Sequence, residues 1–513
     1  MPTYLSPGVY MEEVSSGSKP IEGVGTAVAA FVGLAAQGPL NEPTLVTNWT
    51  QFTQTFGDFL EGSYLAHSVY GYFLNGGGAA YVVRIGADGD EPPAPATARA
   101  ELPAGEGKAG LVVRALDAGA AGDALTVEVH DASEPGEQQE NFKLLVKRGD
   151  NVEETFDNVS LRRGANNVAT RVKAESKLIV VEEVRGSAGM ELHRGASVAL
   201  SGGGALPERV AKVSPADYVG DSADRTGFGG LEAIDEVTML CVPDLMAAYE
   251  QGALDMDGFK AVQLAMIAHC ELMADRVAIL DPPPGLNAQK IKEWRMDVAG
   301  YDSKYAALYW PRLKVMDPVK GKPILIPPSG HIAGVWARND ETRGVHKAPA
   351  NEVVRGAISL ELNVTKLEHD QLNPIAVNCV RSFPGQGIRV WGARTLSSDP
   401  EWRYLNVRRL FNFIEESILA GTNWVVFEPN DQKLWDSVRR TVTMFLRRVW
   451  RDGALFGRTP AEAFFVKCDE ENNPPENRDA GLLTVEIGIA PVKPAEFVVF
   501  RISQFSGGAG LEE

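Results

Sequence analysis

Cysteine is scarce: four in 513 residues. Cys241, Cys270, Cys379 and Cys468 stand 29, 109 and 89 residues apart, with no C-x-x-C pair and no histidine at ligand spacing. That excludes a disulfide framework or a zinc site, and four unpaired thiols in a reducing compartment are expected. The opening Met-Pro-Thr-Tyr-Leu-Ser-Pro-Gly lacks the basic and apolar regions of a secretory signal. The uncharged run at residues 23–41 carries four glycines, Gln37 and Pro39, which make it a poor membrane span. Net positive charge is also lacking, since 50 Lys and Arg face 68 Asp and Glu for a balance of −18. A broad phosphate-binding face is thereby excluded. The expectation is a soluble chain made in the cytoplasm, with no nucleic-acid partner and no direct membrane insertion.

What is present is an ordinary globular composition, 44% apolar and 23% charged, at a length that allows about three domains. Residues 1–22 offer one short strand, Val9-Tyr-Met-Glu-Glu-Val14, on a Ser/Gly tether, which reads as an arm. Residues 23–86 alternate strand and helix, with a strand at 26–34, helices at 48–56 and 64–74, and a strand at 80–85. A Pro-rich linker then opens residues 87–210, where the signals are strands only and an all-β insert is expected. Residues 211–372 return to strand, helix, strand, helix, strand, the pattern of a parallel sheet with right-handed crossovers. Residues 373–493 carry two amphipathic helices, one with Val407, Leu410, Phe411, Ile414 and Ile418 on its face, the other with Leu434, Val438, Val442, Phe445 and Val449. A strand at 482–489 follows. Residues 494–513 hold a last strand, with Phe497, Val498, Val499, Phe500 and Ile502 β-branched or aromatic, and nothing follows it in sequence that could form a hairpin. The fold class is α/β and α+β multidomain.

Most candidate chemistry fails on context. Gly105-Glu-Gly-Lys-Ala-Gly110 has dinucleotide-loop spacing, but a strand rather than a helix follows. Gly33-Leu-Ala-Ala-Gln-Gly38 has P-loop spacing without the lysine and hydroxyl. Asp281, in Asp-Pro-Pro-Pro-Gly at a strand end, could serve an α/β enzyme, yet no His, Lys or second acid is fixed beside it. Asp469-Glu-Glu471 with Asp479 reads as a solvated run, and His331 near Ser329 has no placed acid for a triad. No enzyme activity, cofactor or metal is expected. On the 434–451 helix, Arg440, Arg447 and Arg451 lie opposite the apolar face, flanked by Arg439 and Arg448. A row of arginines on an acidic chain suits an acidic partner surface.

Several stretches resemble the sheath proteins of contractile phage tails, phage-tail-like bacteriocins and extracellular contractile injection systems. They are Tyr4-Leu-Ser-Pro-Gly-Val-Tyr-Met-Glu-Glu13, Gly25-Thr-Ala-Val-Ala-Ala-Phe-Val-Gly33, Ile326-Pro-Pro-Ser-Gly-His-Ile-Ala-Gly-Val-Trp-Ala-Arg-Asn-Asp340, Trp391-Gly-Ala-Arg-Thr395, Trp402-Arg-Tyr-Leu-Asn-Val-Arg-Arg409, Phe427-Glu-Pro-Asn430 and Pro494-Ala-Glu-Phe-Val-Val-Phe-Arg501. The resemblance leaves out the β insert. It implies a helical homo-oligomer of stacked rings around an inner tube, with baseplate and terminal cap partners, contracting from a metastable extended state. It also implies arms that complete a neighbour's exposed C-terminal sheet edge, mapped to Val9, Tyr10, Met11, Val14, Phe497, Val498, Val499, Phe500 and Ile502. The tube-facing residues it implies are Arg440, Arg447, Arg448 and Arg451. Cytoplasmic assembly into a phage tail or tail-like particle, with extracellular release, completes the expectation. An α/β enzyme with a site near the Asp281 loop and an adhesive surface role for the insert are the alternatives.

Overall fold

A computed structural model describes residues 20–86, 97–104, 108–116, 120–134, 141–149, 151–162, 164, 166–184, 192–201, 213–319 and 321–501. The chain divides into two compact units, one built from 1–86 with 212–513 and the other from 87–211.

The first unit is organised by a nine-stranded sheet. Its strands, in chain order, are β1 (Val28–Gly33), β2 (Thr44–Val46), β3 (Ala79–Arg84), β4 (Met239–Cys241), β5 (Val277–Leu280), β6 (Ala306–Trp310), β7 (Glu352–Val353), β8 (Val377–Phe383) and β9 (Gly387–Val390). In space the order is β7-β9-β8-β6-β5-β4-β1-β3-β2. The six strands from β8 to β3 run parallel, and β2, β9 and β7 close the edges antiparallel. Every residue of β4, β5 and β6 is buried, as expected of strands covered on both faces. The expected mixed α/β architecture with a large parallel sheet is therefore present. The sheet also takes in β8 and β9, beyond the boundary expected at residues 372 and 373.

Local chemistry places the helices. Asn48 caps α1 (Trp49–Phe56) by accepting from the Gln51 N–H at 2.9 Å, and Gly57, at φ 84°, ends it. The next helices are α2 (Leu65–Asn75), α3 (Met256–Met273), capped by Asp255, and α4 (Ser329–Arg343). The C-terminal part carries α5 (Leu405–Thr422) and α6 (Gln432–Arg451), capped by Asp431. Their apolar faces share a core with Phe464 and Leu455. A two-stranded antiparallel sheet, Phe464–Lys467 with Glu486–Ile489, belongs to this part.

The second unit has its own core, including Leu102, Val113, Val127, Leu144, Phe156 and Val181. One sheet joins Ser197–Ala199, Leu125–Asp131, Phe142–Arg148 and Asn151–Val159; the other joins Arg99–Ala104, Lys108–Ala115 and Ile179–Glu183. The expected all-β composition needs correction, because Val168–Glu175 is a two-turn helix capped by Asn167. Only Val168 and Val172 of it face the core, too few positions for a helical period to be read.

Candidate assembly interface

The C-terminal segment is fastened by one side chain. Glu496 accepts from Arg394 at 2.9 Å (Nε) and 2.6 Å (Nη2), from Asn373 Nδ2 at 2.8 Å and from the Tyr404 hydroxyl at 3.2 Å. Burial alone would raise the Glu496 carboxyl, but these donors outweigh it and hold its pKa below the usual range. Immediately beyond, Phe497, Val498, Val499 and Phe500 are 74%, 69%, 77% and 84% exposed. The strand expected here is not formed through Arg501, and the strand at Glu486–Ile489 pairs with Phe464–Lys467. Strand propensity is an affinity for a pleated neighbour, and without one the backbone groups stay on water. Ile502 lies outside the described residues. No third strand joins the two-stranded sheet among the described residues, and just past Ile489 the chain is bridged by Leu455 at Pro491.

The N-terminal segment is fastened to α5 and α6. Ile21 is buried in the α5–α6 core, its carbonyl accepts from Arg448 Nη2, and the Val24 N–H donates to Ser417 Oγ at 3.1 Å. A Cβ on Gly421 would lie 2.6 Å from the Ile21 side chain, so glycine is needed where the segment crosses α5. Val9, Tyr10, Met11 and Val14 lie outside the described residues. A little further on, Arg409 and Asp340, each 3% exposed, form a two-pronged ion pair at 2.9 and 2.5 Å. Thr26 joins both, its hydroxyl donating to Asp340 at 2.7 Å and its carbonyl accepting from Arg409 at 3.0 Å. Entry strand, α4 and α5 thus meet at one satisfied buried pair.

On α6, Arg440, Arg447, Arg448 and Arg451 are all exposed, while Val438, Val442, Phe445 and Val449 are buried. Arg448 spends one donor on Ile21, and Arg439 pairs with Asp436 at 2.5 Å. Arg440, Arg447 and Arg451 make up the outward row.

The positions where an open α/β sheet would hold a ligand are filled from within. Chain order reverses between β1 and β4, the place where such sheets bind ligands. There Asp244, fully buried, accepts from Leu34 N–H at 2.6 Å, Ser63 Oγ at 2.9 Å, Leu65 N–H at 3.0 Å and Tyr64 N–H. The chain's own carboxylate occupies the N-terminus of α2. Burial pushes Asp244 up to about 6 despite those donors. Asp281 accepts from the Ser329 N–H at 3.0 Å and so serves the start of α4, with burial pushing it up to about 7. The void beside it is about 10 Å³, room for one water, so the site considered near Asp281 is a helix anchor without an open cavity. His331 is buried against Gly71 rather than set beside an acid. The four cysteines are buried and unpaired. Among the described residues no His, Cys, Asp and Glu group could hold a metal, and no helix is long and apolar enough to cross a membrane.

A mixed α/β core that displays a fastened segment of exposed apolar side chains suits a protein that assembles with its neighbours. The family model for the phage tail sheath protein central domain matches residues 224–396, and that for the phage tail sheath C-terminal domain matches 397–505. Together they run without a gap over more than half of the chain, and the chain belongs to the phage tail sheath family. The tail sheath protein of Burkholderia phage BcepMu is 24% identical over 523 residues, covering 96% of this chain and 95% of that one. The tail sheath protein of Vibrio phage KVP40 is 28% identical over 192 residues, 37% of this chain. A putative prophage major tail sheath protein of Pseudomonas aeruginosa strain UCBPP-PA14 is 26% identical over 249 residues, 47% of this chain. The matches span only 28% and 61% of the lengths of those last two relatives. Among solved structures, the contracted helical sheath of the anti-feeding prophage shares the fold at TM-score 0.58 and 23% identity, over 98% of this chain and all of that one. The contracted sheath complex of the extracellular contractile injection system PVC does so at 0.57 and 23%, over 98% and 99%.

Proposed function

We propose that this chain is the protomer of a contractile sheath, polymerising in helical rings around an inner tube and contracting from a metastable extended state to drive the tube through a target envelope. The observation that carries this reading is the segment after Glu496: four exposed apolar residues of high strand propensity, held at their root by Arg394. Such a segment completes a neighbour's sheet by strand addition. Residues 9–14 are the second arm, leaving the body at the Ile21 anchor. At about 0.5–1.5 kcal/mol net per ladder bond, a short added strand contributes several kcal/mol before ordering costs. That suffices to keep subunits linked while they rotate.

Deleting residues 1–20 is expected to leave a folded protomer that no longer forms long tubes, judged by circular dichroism and negative-stain microscopy. Long tubes from the truncated chain would refute the arm assignment. The Arg440, Arg447 and Arg451 row is the proposed contact with an acidic tube surface, with on-rate and register set by charge complementarity. Arg440→Glu with Arg447→Glu, both on the exposed face, should leave the thermal midpoint unchanged and weaken assembly on tubes, more so at low salt. Assembly at wild-type yield would return the row to solvent. Baseplate and terminal cap proteins are the proposed partners at the ends of the polymer.

A further inference from the structure

The turn between α5 and α6 displays Val426 at 65% and Phe427 at 102% exposure. Phe427 has φ 68°, in the left-handed region that a bulky L residue adopts only under strain. A solvated ring on a strained backbone gives the protomer nothing in return, because it buries no surface. The turn is well tied. The Glu428 N–H donates to the Val425 carbonyl at 3.1 Å, Trp435 Nε1 donates to Asn430 Oδ1 at 2.7 Å, and Asn430 Nδ2 donates to the Leu482 carbonyl at 2.9 Å. The ring is thus held out on a fixed mount, with the Glu428 carboxylate next to it.

The same unit contains a groove of about 910 Å³ beside residues 492–498. Trp391, Pro374 and Val492 supply apolar surface, and Arg343, Lys366 and Lys493 line it with positive charge on a chain whose net charge is −18. Apolar surface with cations suits an apolar residue followed by an acid. We propose that Val426-Phe427-Glu428 of one protomer docks into this groove of a second copy, the ring against Trp391 and Pro374 and the carboxylate toward Lys366 and Lys493. Knob and groove are different patches of one chain, so the contact is head-to-tail and builds rings or helical rows rather than a two-fold dimer. The inference rests on the sheath-protomer reading and adds a contact at the root of the C-terminal arm, whose Phe497 and Val498 line the groove.

The test follows polymerisation of the full chain by light scattering and sedimentation, with thermal unfolding of the unassembled protomer alongside. Phe427→Gly removes both the ring and the left-handed penalty. It should raise the critical concentration more than about tenfold, as loss of an aromatic anchor does, while the thermal midpoint stays level or rises by roughly 2 °C. Phe427→Tyr should polymerise nearly as the wild type does. Lys366→Glu with Lys493→Glu should also raise the critical concentration, and Glu428→Lys in that background should bring it back. Wild-type polymerisation by Phe427→Gly overturns the proposal and leaves the sheath reading standing. A fall in its midpoint instead assigns Phe427 to the protomer's own packing and equally overturns it. Failure of Glu428→Lys to rescue overturns the charge pairing. If the wild-type chain itself forms no polymer, the sheath reading falls and takes this contact with it.

Discussion

At the scale of single residues, the chain uses buried carboxylates where ligand-binding relatives of this sheet type would use solvent and substrate. Asp244 and Asp281 each hold the start of a helix, and each is pushed up by burial, to about 6 and about 7. The sign of the consequence follows from linkage. A carboxyl that is harder to ionise in the folded state binds more protons there than in the unfolded chain. The stability it contributes is full below about pH 4 and is lost as pH rises through the folded value. Asp281→Asn keeps an oxygen for the Ser329 N–H and cannot ionise. Relative to the wild type, this variant is expected to gain on the order of 3 kcal/mol in unfolding free energy between pH 4.5 and pH 8. Denaturant unfolding at the two pH values reads this directly, and parallel profiles for the two proteins would show that Asp281 does not titrate in that window.

At the scale of elements, α2 and α4 cross with backbone almost touching backbone. A Cβ on Gly330 would lie 2.4 Å from the Ser68 carbonyl oxygen, and one on Gly334 would lie 2.4 Å from that of Tyr72. Gly71 faces back, with His331 in the place its Cβ would take. Gly334→Ala therefore has to push two helices apart and is expected to cost about 2–4 kcal/mol, whereas Gly78→Ala, which meets nothing within 4 Å, should change stability little. Chemical denaturation of the two variants decides it; equal midpoints would mean the crossing yields without strain. This crossing needs both glycines of Ser-Gly-His-Ile-Ala-Gly in α4. It explains why α4 is illegible as a helix, since Gly330, His331, Ile332, Ala333, Gly334, Val335, Trp336 and Ala337 are all buried and no polar face marks a period. Val277–Leu280 and Ala306–Trp310, by contrast, are readable to the residue, being short apolar runs with flanking stops. Phe464–Lys467, of the same length as Val277–Leu280, is not set off, because it follows Pro460–Ala463 with no stop between them. The terminal strand is overread for a different reason: residues 497–500 have the composition of a strand, but a strand also needs a partner, and composition is silent on that. Of the candidate interface, the exposed arginine row and the apolar terminal segment are legible from spacing and residue type. Glu496 and Phe427 are not, because an anchor is defined by what it meets and a strained display by its φ.

At the scale of the whole molecule, the division into two units is a division of cores. The core around Leu102, Val127 and Phe156 is made wholly from residues within 87–211. The main sheet, with the α5–α6 core, draws on residues from both sides of that stretch. Strand β1 comes from the stretch before the insert and β4 from the one after it, and they pair directly, Ala29 opposite Met239 and Phe31 opposite Cys241. Among the described residues the main unit's sheets take in no strand of the second unit, and the second unit's sheets none of the main unit. Cooperativity follows shared core, so the two should unfold separately. Calorimetry of the full chain is expected to show two transitions, the smaller of them reproduced by a fragment of residues 97–201. The larger should persist when residues 87–211 are replaced by a short Gly/Ser linker. That linker variant also tests the adhesive role considered for the insert. If it still polymerises but loses binding to cells or glycans that the full chain retains, adhesion belongs to the insert. Unchanged binding removes that role, and a single merged transition in the full chain would mean that the two cores are coupled.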